Sequence, residues 1–198
     1  MAKDLAALAE ARGLTLDTLE GAGVYVDWEQ ENAHDFPPGS HPVWFPYRNL
    51  TGVWYERQRR WIDNDSKPKY LSPPNGKAHL YNPGLAGPGS DPIYFAEGEI
   101  DTLTLIESGR DAVGVSGAGA FDIRWADLWQ YSTVVIVFDG DQTGQDFAAK
   151  LAGLFPPENV HVWTPPPGED INSLYQRDAL NVLEEWELKR GIKPPDRE

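Results

Sequence analysis

Short apolar runs and amphipathic segments alternate through the second half of the chain. Ile93-Tyr94-Phe95-Ala96, Ala112-Val113-Gly114-Val115, Val134-Val135-Ile136-Val137-Phe138 and Val160-His161-Val162-Trp163 are nearly continuous in apolar, often β-branched residues. Runs of that kind suit strands covered on both faces of a parallel sheet. Between them the apolar positions take up helical spacing. Residues 99–108 bring Ile100, Leu103 and Ile106 to one face and stop at Gly109, a suitable C-terminal cap. Residues 143–155 do the same with Phe147, Ala148, Leu151, Ala152 and Phe155, and a last amphipathic helix is expected over residues 176–190. The alternation predicts a doubly wound α/β unit, with a four-stranded, mostly parallel sheet within residues 92–178.

The first half follows another pattern. Residues 3–12 and 15–20 read as short helices broken at Gly13, with Leu5, Leu8 and Ala9 on one face. Residues 42–47 and 52–57 read as two strands around an Asn49-Leu50-Thr51-Gly52 turn. From Pro68 to Pro92 the chain is rich in Pro and Gly and reads as an extended linker. The expected division is a smaller α/β lobe over residues 1–90, the α/β core over 91–178, and a terminal helix and tail over 179–198.

Composition narrows the function classes. Of 198 residues, 40% are apolar and 12% aromatic, enough to build a core and to exclude global disorder. The absence of Cys excludes disulfides and cysteine-ligated zinc, and His34, His41, His79 and His161 lack zinc-ligand spacing. No apolar run approaches the roughly 20 residues that span a bilayer. The acidic, periodic start at Met1-Ala2-Lys3-Asp4 does not read as a signal peptide, so a soluble, cytoplasmic protein without a membrane partner is expected.

Charge is distributed unevenly. The net charge of -14 argues at face value against a nucleic-acid partner. Yet residues 47–80 hold seven basic residues (Arg48, Arg57, Arg59, Arg60, Lys67, Lys69, Lys77) against three acidic ones, a net +4. Residues 91–198 hold eight basic and twenty acidic residues, a net -12. Metal ions can neutralise clustered carboxylates and invert their local electrostatics.

The acids fall at informative places. Ligands of open parallel sheets bind beyond the carboxyl ends of the strands. The first apolar run ends at Glu97-Gly98, the third at Asp139-Gly140-Asp141, and the fourth leads to Pro167-Gly168-Glu169-Asp170. Carboxylates gathered at one end repel unless protonated or bridged by cations. Oxygen-only ligands suit Mg²⁺ or Mn²⁺, which keep waters and bind phosphates. Gly98 and Gly140 would leave room for a phosphate beside the acids. Two other motifs overlap this stretch. An EF-hand loop starting at Asp139 is excluded, because Thr143 and Lys150 stand where it needs Asp or Asn and Glu. A haloacid-dehalogenase-type phosphatase would use Asp139, Asp141 and Thr143, but leaves Glu97 unexplained and stays as an alternative. Gly114-Val115-Ser116-Gly117-Ala118-Gly119 is a Gly-rich turn, read either as close backbone approach to the acidic end or as a plain strand-to-helix turn.

Phe95-Ala96-Glu97-Gly98-Glu99-Ile100-Asp101 resembles the first TOPRIM motif. Phe138-Asp139-Gly140-Asp141-Gln142-Thr143-Gly144 is similar to the Asp-Gly-Asp-x-x-Gly motif of bacterial-type primases, and Gly168-Glu169-Asp170-Ile171-Asn172 to their third acidic motif. Upstream, Arg12-Gly13-Leu14, Phe45-Pro46-Tyr47-Arg48-Asn49, Lys67-Pro68-Lys69-Tyr70-Leu71 and His79-Leu80-Tyr81-Asn82 follow the order of the primase catalytic core. The resemblance covers roughly residues 10–178 and is closest to compact bacteriophage primase-like proteins. It implies a Rossmann-like TOPRIM fold in a bacterial host cell. It also implies a DNA-directed RNA polymerase of the primase type, a nucleotidyltransferase making short RNA primers on single-stranded DNA.

On that resemblance Glu97, Asp139 and Asp141 are catalytic and hold Mg²⁺ or Mn²⁺, with Asp101 and Asp170 in support. Arg57, Arg60, Lys67, Lys69 and Lys77 hold template or nucleotide phosphates. The implied partners are single-stranded DNA, nucleoside triphosphates, and a replicative helicase or separate template-recognition protein. Primases usually carry a cysteine-rich zinc domain, absent here, and often Lys where Glu169 stands. A TOPRIM-type nuclease, with Glu97 or Glu99 as general base, is one alternative. A non-catalytic subunit binding nucleic acid or a helicase is another.

Overall fold

A computed structural model describes residues 2–26, 43–48, 54–59, 70–71, 80–115 and 121–195. Helices α1 (Ala2–Arg12) and α2 (Leu16–Gly21) open the chain, and Gly13 between them has a φ of 64°. Leu5, Leu8 and Ala9 are buried, as their common face requires. Strands β1 (Tyr25–Val26), β2 (Val43–Arg48), β3 (Trp54–Arg59) and β4 (Tyr70–Leu71) form an antiparallel sheet in that order. Arg57 lies on β3, where its backbone pairs with Phe45. Arg60, Lys67, Lys69 and Lys77 lie outside the described residues.

The second sheet contains the four apolar runs as β6 (Ile93–Glu97), β7 (Ala112–Val115), β8 (Val134–Val137) and β9 (Val160–Trp163). All are parallel to their neighbours among these four. A fifth strand, β5 (Leu80–Tyr81), pairs antiparallel with β7. It comes from upstream of residue 90, out of the stretch expected to be linker. The order is β5-β7-β6-β8-β9. Strands β7 and β8 are buried throughout and β6 as far as Ala96, whereas β9 lies at the rim and leaves Val162 42% exposed. An apolar run alone does not distinguish a central strand from a rim strand.

Alternation along the strands splits the core into two layers. Ile93, Phe95, Val113, Val134 and Ile136 face α4 (Gln142–Ala152) and a 3₁₀ segment, Ile123–Trp129. Tyr94, Ala96, Val135 and Val137 face the other way, packing with Leu105 of α3 (Gly98–Glu107) and with the C-terminal helices. On its other side α3 gives Ile100 and Leu103 to the core of the first lobe, beside Leu8, Leu19 and Phe45.

The expected helix at 176–190 is shorter, α6 (Asn181–Leu188), and a separate helix, α5 (Ile171–Gln176), precedes it. Asp178 between them has a φ of 52°, a left-handed conformation that no helix continues through. The amphipathic pattern ran across this break because Leu174, Leu180 and Leu183 share one apolar cluster. Among the described residues no helix is long and apolar enough to cross a membrane.

Candidate functional site

Parallel strands wound in opposite directions from β6 leave a crevice at their carboxyl ends. Chain order runs from β6 to β7 on one side and then to β8 on the other. This reversal is a topological switch point. Glu97 is the last residue of β6, and Asp139 follows the end of β8 by two residues. The pairing of Ala96 with Val137 sets these two acids side by side at the crevice.

Local geometry explains the glycines. Gly98 starts α3 directly after Glu97 with a φ of 82°, so the chain turns sharply from strand to helix. A Cβ built on Gly98 would meet nothing within 4 Å, which leaves open space in front of Glu97. Gly140 differs from the expectation of added room, since a Cβ there would stand 3.3 Å from the Pro165 carbonyl oxygen. Gly114 also has another role than approach to the acids. Its Cβ would come within 2.4 Å of Thr102 Oγ1 and 2.9 Å of the Gly98 carbonyl, so it seats the first turn of α3 on the sheet. Residues 116–120 of that Gly-rich stretch lie outside the described residues.

Asp141 is the N-cap of α4, and its Oδ1 accepts from the Gly144 backbone amide at 2.7 Å. Asp170 caps α5 in the same way, its Oδ1 accepting from the Ser173 amide at 2.6 Å within a capping box. Asp101 lies one turn into α3, and its Oδ1 accepts from the Asn172 backbone amide at 3.1 Å.

Three of these five acids are shifted by neighbours within the set. Burial, then Asp139 and Asp141, push Glu97 above its ordinary pKa. Burial, then Asp170 and Asp141, raise Asp139. Asp101 is raised well above the carboxylate range by burial of its carboxyl and by Asp170, with smaller contributions from Asp139 and Glu97. The sequence-predicted acids therefore share one electrostatic site.

The donor set is oxygen-only and crowded with like charge, which fits Mg²⁺ or Mn²⁺. Among the described residues no three such side chains already stand close enough to hold one ion. Mg²⁺ is commonly held by one or two carboxylates with waters and substrate phosphates completing its shell. Capping bonds at Asp141 and Asp170 give a physical reason for the open arrangement, since each carboxylate is already engaged by a helix start.

Glu99 does not belong to this crevice. It is 1% exposed, and its Oε1 accepts from the Tyr47 hydroxyl of β2, joining α3 to the first lobe. That burial removes it as a solvent-facing general base. Gly144 has a structural role beyond its place in the Asp-Gly-Asp-x-x-Gly motif, since a Cβ on it would lie 2.3 Å from the Asp139 carbonyl oxygen. We expect Gly144→Ala to displace the end of β8, costing about 1–3 kcal/mol in urea denaturation. Mn²⁺ affinity should fall about tenfold, as when the support of a metal ligand is lost.

Comparison with known proteins gives concordant likenesses. A family described as Toprim-like matches residues 94–175. The gene 57 protein of Mycobacterium phage D29 is 37% identical over 143 residues, covering 71% of this chain and 90% of that protein. The DNA primase DnaG of Halorubrum lacusprofundi is 35% identical over 102 residues, 50% of this chain, a match that spans only 20% of the primase. In fold, the chain is similar to the primase fragment of the bacteriophage T7 primase-helicase protein. That match has a TM-score of 0.69 at 23% identity and covers 89% of this chain and 72% of the fragment.

Proposed function

Because this chain belongs to the TOPRIM primase-like proteins, we propose that it is a primase catalytic core making short RNA primers on single-stranded DNA with Mg²⁺ or Mn²⁺. One observation carries the reading: Glu97, Asp139 and Asp141, with Asp101 and Asp170, meet electrostatically at the switch point of a parallel sheet. A divalent ion bound there supplies neutralisation of a triphosphate and activation of an attacking 3′-hydroxyl.

The chain's own contribution is positional. Glu97 and Asp139 offer carboxylate oxygens from adjacent rigid strand ends. Asp141 offers its second carboxylate oxygen from the start of α4. Asp101 and Asp170 would hold a further ion, or orient its waters, from α3 and α5. No side chain need act as a nucleophile, since phosphoryl and nucleotidyl transfer rest on positioning and charge neutralisation. A helicase as partner is a further part of the proposal, supported by the T7 neighbour being a fragment of a primase-helicase protein.

Arg57, Arg60, Lys67, Lys69 and Lys77 are proposed to hold template and nucleotide phosphates. The support is the net +4 of residues 47–80 in a chain of net -14. Each phosphate contact adds a slope near 0.7 to the salt dependence of single-strand binding. Lys69→Ala is therefore expected to weaken binding of any single-stranded DNA and to flatten the log–log salt slope by about 0.7. Unchanged affinity and slope in a fluorescence-anisotropy titration would make Lys69 an ordinary surface residue.

Incubation with end-labelled RNA and DNA, nucleotides and Mn²⁺ separates the readings. Longer products support nucleotidyl transfer. Shorter products identify a nuclease. Binding without either product identifies a non-catalytic subunit.

A further inference from the structure

The Arg12-Gly13 turn meets the third acidic motif at a point the proposed reaction does not touch. Arg12 ends α1, where the last helical carbonyls lack intrahelical partners. Asn172 Nδ2 donates to the Arg12 carbonyl at 2.8 Å. The same nitrogen donates to Thr104 Oγ1 of α3 at 3.0 Å. The Thr104 hydroxyl in turn donates to the Ile100 carbonyl at 2.8 Å. Asn172 Oδ1 accepts from Gln176 Nε2 of α5 at 2.7 Å. Finally, the Asn172 backbone amide donates to Asp101 Oδ1.

Asn172 is 2% exposed. Both hydrogens of its amide are used, and a carbonyl can only accept, so the side chain has one satisfied orientation. The junction is also tight, because a Cβ on Gly13 would stand 3.1 Å from Gln176 Cγ. Three elements therefore converge on one side chain: the end of α1, the middle of α3 and the start of α5. Two of them bear acids of the candidate site, Asp101 on α3 and Asp170 at the cap of α5.

We propose that Asn172 is a positioning residue for the acidic end of the sheet: by tying α1, α3 and α5 together it sets where the carboxylates of Asp101 and Asp170 stand. The inference rests on the metal-site reading given above. Its consequence is that divalent-ion affinity depends on a side chain that touches no ion. Removing a partner that orients metal ligands commonly weakens metal binding about 10–100-fold.

The test is Mn²⁺ titration by electron paramagnetic resonance on the full chain, with thermal unfolding alongside. Asn172→Ala is expected to bind Mn²⁺ at least about tenfold more weakly than the parent chain. Thr104→Val keeps Asn172 but removes one acceptor, and is expected to lose on the order of threefold. Glu187→Gln, in a network at the opposite end of the sheet, serves as a destabilised control with parental affinity. A folded Asn172→Ala chain that binds as the parent does overturns the inference alone. If Asn172→Ala does not fold, parental affinity in Thr104→Val overturns it. A parent chain that binds no Mn²⁺ overturns the metal-site reading and this inference with it.

Discussion

Asp139→Asn is expected to cut metal-dependent nucleotidyl transfer steeply while leaving the fold intact. Asp139 stands beside Glu97 at the switch point and is coupled to Asp141 and Asp170. Loss of a preorganised electrostatic group of this kind reduces turnover by about 10²–10³-fold. Stability should move the other way. A carboxyl whose pKa is raised in the folded state disfavours folding when ionised, so its contribution is fully present below the unfolded pKa and is lost as pH rises through the higher folded pKa. Neutral Asn removes that repulsion, and the metal-free Tm at pH 7 should hold or rise. Differential scanning fluorimetry beside the activity assay checks both signs. A large fall in Tm would mean that Asp139 is structural and that lost activity says nothing about chemistry.

Glu187→Ala is expected to cause the largest loss of stability. Glu187 of α6 accepts from Arg110 Nε and Nη2, both at 2.8 Å, and from the Tyr94 hydroxyl of β6 at 2.6 Å. The ion pair is closed to solvent, with side-chain exposures of 1% and 0%. Burial, then the bond to Glu187, push the Tyr94 phenol above its ordinary range. Truncating one partner of a buried pair leaves the other charge uncompensated, at a cost of about 3–5 kcal/mol. For a chain of this size that corresponds to a Tm lower by roughly 6–20 °C. Glu187→Gln keeps the shape and part of the bonding and should lose less. Replacing both Arg110 and Glu187 with Met should recover much of the loss, since no buried charge then remains. A Glu187→Ala chain within about 2 °C of the parent would show that water reaches Arg110 and that α6 is not pinned there.

Much of the second sheet was legible because its strands carry an unambiguous signal. Phe95 and Ile136 face one layer and Tyr94 and Val135 the other, so every position in the run must be apolar. Glycine positions marked the turns, Gly98 with its left-handed φ above all. Glu97, Asp139, Asp141 and Asp170 stand out for a related reason, since each lies at or just past a strand end or at a helix cap, whereas Asp101 lies inside α3. What the sequence could not show was contact between distant segments. Leu80–Tyr81 is too short to read as a strand, and pairs with β7 only once the sheet exists. Glu99 is the same residue type as Glu97, two residues away, but the helical turn carries it into the lobe junction against Tyr47. Asn172 and Gly144 likewise act on Arg12 and Asp139 through packing that no local spacing encodes.

The acidic end of the sheet is proposed to perform template-directed nucleotidyl transfer. De novo primer synthesis tests it most directly: single-stranded DNA, labelled ribonucleoside triphosphates, and Mg²⁺ or Mn²⁺, with parent and Asp139→Asn chains side by side. Short labelled RNAs are expected from the parent, none after chelation of the metal, and about 10²–10³-fold fewer from the variant. Equal product from both chains would contradict it. So would the absence of any product from a parent chain that binds both Mn²⁺ and single-stranded DNA, with a candidate helicase or template-recognition partner supplied.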